Sequence, residues 1–188
     1  MDVEAITERV IRHKRGDLTT RVEYFNDLTE FKLNKIIPKD ASILQLGCGC
    51  GYLLEVLKAH GYTNLTGVDK NPGMREDFPE GIKLITSTVR EALATLPKYD
   101  VVFTHTYLYR LPPIKKNEEL FKTISKSFNQ YLITFEEEEG KVARPGDTRW
   151  ETTFYNYNYK KKFEKLGLKQ TWMDVGSMQH VAFRIFTP

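Results

Sequence analysis

The apolar positions change their period along the chain, and each change marks a different kind of element. Val3, Ile6, Val10 and Ile11 recur at helical spacing, and a second amphipathic stretch carries Tyr24, Phe25, Leu28, Phe31, Leu33, Ile36 and Ile37 until Pro38 stops it. Gly16 and Asp17 separate the two stretches, a turn signal that would also let the first helix move as a lid. Past Pro38 the helical period gives way to short apolar runs alternating with helical segments. Ile43 to Leu46 reads as a strand, Tyr52 to His60 as a helix, and Leu65 to Asp69 as a second strand. Further strands are expected over Ile82 to Thr86, Asp100 to Thr104 and Tyr131 to Phe135, with helices over Val89 to Leu96 and Glu118 to Phe128.

Strands that alternate with helices imply right-handed crossovers and a mostly parallel sheet covered on both faces, a doubly wound α/β fold. The end of the chain differs. After a helix around Tyr155 to Leu166, the runs Lys169 to Val175 and Gln179 to Phe186 are separated by Gly176-Ser177-Met178 alone. So short a link cannot be a parallel crossover, so these two strands should pair antiparallel. The whole chain, residues 1–188, reads as one domain with a helical cap over 1–37 and a core over 38–188. The stretch from Glu137 to Thr153 has no periodicity and carries Gly140, Pro145, Gly146 and Trp150. Long irregular loops in compact domains are usually functional or disordered, and this one comes after the C-terminal end of a strand, where open α/β sheets bind ligands.

Composition narrows the class without naming a function. The chain is 40% hydrophobic and 28% charged, as globular proteins are, and 188 residues suffice to bury roughly 70% of the unfolded surface without disulfide or metal staples. The net charge of +3 is small and evenly spread, which argues against a nucleic-acid partner, and the basic runs Arg12 to Arg15 and Lys160 to Lys162 read as solvated helix faces. Cys48 and Cys50 stand too close for an unstrained disulfide and lack the spacing of a zinc site, so no metal centre is expected. With no apolar run near 18 residues and no signal-peptide core, the expectation is a cytoplasmic protein with no membrane partner. Nothing in the pattern fixes an oligomeric state.

The chemistry-bearing segment is the turn after the first strand. Ile43-Leu44-Gln45-Leu46 runs into Gly47-Cys48-Gly49-Cys50-Gly51 and then into a helix near Tyr52. Glycine there tolerates positive φ and close approach of a ligand, while the helix N-terminus offers free N–H groups. Asp69 ends the second strand, 18 residues beyond Gly51, where a carboxylate can accept both hydroxyls of an adenosine ribose. The G-x-G-x-G spacing differs from the G-x-G-x-x-G of nicotinamide and flavin binders, and the phosphate-loop pattern G-x-x-x-x-G-K-[ST] is missing.

Residues Ile43 to Gly51, together with Gly67-Val68-Asp69, resemble the first two motifs of class I S-adenosylmethionine (AdoMet)-dependent methyltransferases. The resemblance implies a Rossmann-like, seven-stranded sheet with one reversed C-terminal strand, and AdoMet as cofactor with S-adenosylhomocysteine as product. It implies that Gly47, Cys48 and Gly49 pack against the methionyl part, that Gly51 belongs to the cofactor-binding turn, that Asp69 binds the ribose, and that Thr88 contacts the adenine. In the family an acidic residue usually stands two places before the first glycine. Here Gln45 stands there, able to accept from the cofactor ammonium without the charge attraction.

After the fourth strand, Phe103 to Pro113 resembles the corresponding segment of small-molecule methyltransferases, and with Gly16-Asp17 and Thr20-Arg21 it is similar to small methylases of surface-sugar biosynthesis. That likeness places Arg21 near the AdoMet carboxylate, a bidentate role suited to guanidinium. Arg110 stands where such relatives often carry histidine. His105 is the candidate general base; the alternative is a histidine that contacts cofactor or satisfies a loop carbonyl. Tyr107 and Tyr109 read as packing or pocket-wall residues, and Glu136, Arg144 and Trp150 as groups able to meet a polar substrate, with Glu137 to Glu139 solvated. The expected activity is methyl transfer to an oxygen or nitrogen of a small, sugar-like acceptor. Two readings stand beside it: a module that binds AdoMet without turnover, and an RNA or protein methyltransferase.

Overall fold

The computed structural model describes residues 6, 8, 16–137, 155, 157–174 and 181–188. The expected first helix apart from Ile6 and Glu8, the run Arg12 to Arg15, the stretch Glu138 to Thr153 with Arg144 and Trp150, Asn156 and the hairpin link Gly176 to Met178 lie outside the described residues. The chain divides after Ala92 into two compact units.

In the first unit, α1 (Gly16–Leu28) continues through a π-helical turn, Thr29–Leu33, into Asn34–Ile36. Gly16 and Asp17 therefore open a helix, whereas the sequence pattern suggests a break there. The π turn is pinned by the buried Thr29, whose hydroxyl donates to the Phe25 carbonyl at 2.7 Å. A π turn holds an extra residue per turn and so rotates the succeeding side chains about the helix axis. This corrects one expectation: Phe31 falls off the buried face and is 66% exposed, while Phe25, Leu28 and Leu33 remain inside. Ile37 is extended (φ −112°, ψ 121°), as a residue before proline prefers, and the helix ends there. Next along the chain are β1 (Ile43–Leu46), α2 (Tyr52–Ala59), β2 (Leu65–Asp69), β3 (Lys83–Thr86) and α3 (Val89–Thr95). β1, β2 and β3 pair in parallel, with Gln45 opposite Gly67 and Asp69 opposite Thr86.

The second unit carries β4 (Tyr99–His105), α4 (Lys115–Ile124), β5 (Phe128–Glu137), α5 (Tyr159–Glu164), β6 (Lys169–Asp174) and β7 (Val181–Thr187). α4 begins and ends three to four residues earlier than the periodicity suggests. Its end is set by hydroxyls: Ser125 and Ser127 donate to the Lys122 and Ile124 carbonyls, drawing off the last turn. That frees Phe128 to open a longer β5 than expected. β4 and β5 are parallel, and β7 is antiparallel to both β5 and β6.

The strand order is β3-β2-β1-β4-β5-β7-β6, a seven-stranded, mostly parallel sheet with one reversed strand. Burial matches that order. All four residues of β1 are buried, whereas β6 alternates exposed and half-buried positions, as an edge strand with one covered face does. No helix among the described residues is long and apolar enough to cross a membrane.

Candidate functional site

The β1–α2 turn is built from backbone bonds. Cys48 N donates to the Val68 carbonyl at 3.0 Å, tying the turn to β2, and Gly51 N donates to the Cys48 carbonyl at 3.0 Å. Gly51 sits in the left-handed region (φ 75°) and caps α2, its carbonyl accepting from Glu55 N. Asp69 joins the turn to the strand end: Oδ2 accepts from Gly49 N at 3.0 Å and Oδ1 from Asn71 N at 2.9 Å. Each carboxylate oxygen keeps a further lone pair, enough for two ligand hydroxyls. Gly49 is half-buried with φ 53°, and a Cβ there would meet nothing within 4 Å, so the space above the turn is open.

The other cofactor-side residues fall around this turn in different ways. Gln45 is buried on β1, and its side-chain oxygen has no hydrogen-bond partner. Such an orphaned acceptor costs free energy unless something supplies a donor, which is the chemistry an ammonium group offers. Cys48 is buried too; burial first, then the Asp69 charge, pushes its thiol up so that it holds its proton. Cys50 donates to the Met74 sulfur at 3.3 Å, and both cysteines are free thiols. Arg21 is half-buried on α1, a helix that packs against α2. Thr88 is exposed and already has a role: its hydroxyl donates to Glu91 Oε2 at 2.7 Å and accepts from Glu91 N at 3.3 Å. That is a capping box on α3, legible in the T-x-x-E spacing. Among the described residues no group of three or more His, Cys, Asp or Glu is placed to hold a metal ion.

In the second unit, His105 ends β4 with its ring stacked on Phe135, centroids 4.8 Å apart. Thr106 comes next with φ 48°, the one positive φ at a non-glycine among the described residues. The three residues after it converge on Glu136. Its Oε1 accepts from Tyr107 N at 3.1 Å, and its Oε2 from Leu108 N at 3.2 Å and Tyr109 N at 3.4 Å. Glu136 is 0% exposed, which corrects the expectation that it meets a substrate. Tyr109 is buried as a packing residue, and Arg110 Nε donates to the Thr106 carbonyl at 3.0 Å. Tyr157 packs edge-on against Phe121 and Tyr159 is fully buried, so these aromatics serve the core.

Burial raises the Glu136 carboxyl to about 7 against the opposing backbone bonds from Leu108, Tyr107 and Tyr109. Its folded pKa lies above the unfolded one, so between roughly pH 4.5 and 7 the folded chain keeps a proton that the unfolded chain has lost. Stability from this group is therefore fullest below that window and is lost as pH rises through it, by about 3 kcal/mol. Urea unfolding at pH 5 and pH 8 checks this: Glu136→Gln should escape that loss, so the gap between wild type and variant shifts toward the variant at pH 8. An equal gap at both pH values would contradict it.

A sequence pattern described as a methyltransferase domain matches residues 16–137, well over half of the 188 residues. The chain belongs to the methyltransferase domain family. The chain is 35% identical over 74 residues to EEF1A lysine methyltransferase 2 of Mus musculus, a match covering 37% of this chain and 30% of that protein. The human protein of the same name is 34% identical over 74 residues, covering 37% of this chain and 31% of that protein. The matched stretch thus spans about a third of those relatives. In fold it is similar to magnesium protoporphyrin IX methyltransferase of Synechocystis PCC 6803 with bound SAM, at TM-score 0.66 and 14% identity over 88% of this chain and 78% of that one. A SAM-dependent methyltransferase of Archaeoglobus fulgidus superposes at TM-score 0.62 with 18% identity, covering 87% of this chain and 94% of that one.

Proposed function

We propose that this methyltransferase moves a methyl group from AdoMet to an oxygen or nitrogen of a small, polar, sugar-like acceptor, acting as one domain. The observation that carries the cofactor reading is the bond from Gly49 N to Asp69 Oδ2 at 3.0 Å, which fixes a ribose-binding carboxylate to the open glycine turn. The residues fit the group: Asp69 takes the ribose hydroxyls, the glycines admit the methionyl part, and the orphaned Gln45 oxygen accepts from its ammonium. Arg21 pairs with its carboxylate, and Thr88 stands at the adenine side. When bound, AdoMet would supply a sulfonium-activated methyl group, which an acceptor oxygen or nitrogen would take at carbon as the carbon–sulfur bond breaks and S-adenosylhomocysteine leaves. His105 takes the acceptor proton, and much of the remaining rate comes from alignment and exclusion of water.

His105→Gln should slow S-adenosylhomocysteine formation about 10²- to 10⁴-fold with AdoMet affinity unchanged, the range for a lost general base. A rate within a few-fold of wild type would leave His105 as a packing partner of Phe135.

Protein lysine is the second acceptor class, supported by the 35% identity over 74 residues with a protein named as a lysine methyltransferase. Methyl-labelled AdoMet, incubated with the enzyme and with separated small-molecule and protein fractions of a cell extract, decides between them. Label in small polar products is the expected result. Label on lysine side chains would establish the second reading, and tight AdoMet binding with label in neither fraction would mean a binding module.

A further inference from the structure

Glu136 is a carboxylate placed with no exposure at the end of β5, and burying a charge without partners is costly. Its backbone partners are the N–H groups of three successive residues, Tyr107, Leu108 and Tyr109, at 3.1, 3.2 and 3.4 Å, and the Thr104 hydroxyl also favours its ionised form. Consecutive amides converging on one anion form a nest, a backbone shape that an anion stabilises and that amide dipoles alone would open. Immediately before the nest, Thr106 is held at φ 48°, a conformation that costs a β-branched residue of order 1–3 kcal/mol and persists where surrounding structure imposes it. Thr106 N also donates to the Phe135 carbonyl at 3.0 Å, so β5 grips the turn at two successive residues, Phe135 and Glu136.

We propose that Glu136 is the positioning residue of the post-β4 turn: its carboxylate gathers the Tyr107, Leu108 and Tyr109 amides and thereby fixes the orientation in which His105 and Tyr107 are presented. That this turn faces the acceptor rests on the function proposed above; the positioning itself does not. The carboxylate is buried behind the turn, so it touches neither acceptor nor cofactor and acts through the backbone. Chemically it resembles an internal ligand: ionised, it makes charge-assisted bonds to the nest, and protonated, it makes weaker ones. The titratable or charged side chains on the packed elements are Tyr99, Asp100 and His105 on β4, Tyr107, Tyr109 and Arg110 in the turn, and Arg184 on β7, opposite Thr134, with Tyr131 and Glu137 on β5 itself.

Two consequences have opposite signs. Ionisation of Glu136 lowers global stability, as derived above, yet tightens the turn against local openings in which the carboxylate stays buried and loses only its amide partners. Amide hydrogen exchange, corrected for intrinsic rates, reads both without cofactor or acceptor. In the wild type, protection of the Tyr107, Leu108 and Tyr109 amides should rise about tenfold from pH 6 to pH 8, the difference between neutral and charge-assisted bonding. The amides of Val102 and Leu132 on the neighbouring strands should show no such rise. In Glu136→Gln the three turn amides should be weakly protected and flat with pH. Protection of the turn amides that is flat in wild type, or that changes in parallel with the strand amides, would overturn the proposal. The wild-type pH series carries the test by itself if the variant folds poorly. Failure of AdoMet binding would refute the proposed function and leave this result untouched.

Discussion

Asp69→Ala is expected to weaken AdoMet binding about 10²- to 10⁴-fold. The carboxylate offers one free lone pair per oxygen for the two ribose hydroxyls, and a hydrogen bond to a charged group is worth about 1.5–3 kcal/mol. Two such bonds give about 3–6 kcal/mol, which is the stated range. The substitution also strips Gly49 N and Asn71 N of their acceptor, so part of the loss comes from a looser turn. Asp69→Asn separates the two contributions: one oxygen still accepts from a backbone amide, while the charge and the second acceptor are gone. Isothermal titration of both variants reads this directly, with the asparagine variant falling between wild type and alanine. An affinity for Asp69→Ala within threefold of wild type would remove Asp69 from the site.

Gly51→Ala should destabilise the fold by about 2–5 kcal/mol, a drop in melting temperature of roughly 4–20 °C for a chain of this length. Two costs add. Gly51 has φ 75°, where a side chain costs about 1–2 kcal/mol, and its Cβ would stand 2.7 Å from Phe78 Cε2 and 2.9 Å from Pro79 Cδ. Relieving that overlap moves a packed aromatic ring or the proline beside it, at about 1–3 kcal/mol. Gly49→Ala is the informative partner, because its φ is 53° but a Cβ there meets nothing within 4 Å. It should lose about 1–2 kcal/mol of stability from backbone strain alone, yet lose cofactor affinity because the methyl occupies the open space. Equal melting temperatures for the two variants would mean that the Phe78 contact is relieved at no cost.

The contrast between these glycines shows what local sequence can and cannot carry. β1 and β2 were legible to the residue because each is a short apolar run bounded by breakers, and the turn between strand and helix is contiguous in sequence. Asp69 comes out of the same local logic, as does the antiparallel pairing of β6 and β7, where a link that short permits nothing else. Long-range partnerships were not legible. Glu136 ends a strand and opens a run of four glutamates, which invites the reading of a group that meets a polar substrate, and the amides that claim its carboxylate lie 27 to 29 residues earlier. Phe31 misled for a different reason: the helical period fits it to the apolar face, but a π turn over Thr29–Leu33 shifts the phase. Thr88 shows local competition, since one hydroxyl just past a strand also begins α3, and capping claims it. The acceptor leaves little mark on the sequence, because an in-line methyl displacement asks little of dedicated side chains.

The central claim is that the turn at Gly47 to Gly51, with Asp69, holds AdoMet. Calorimetric titration of the wild-type protein with AdoMet and with S-adenosylhomocysteine tests it most directly. The account predicts saturable binding of both at one site per chain, abolished or strongly weakened in Asp69→Ala. No heat and no thermal stabilisation with either compound, in protein that unfolds cooperatively, would contradict it.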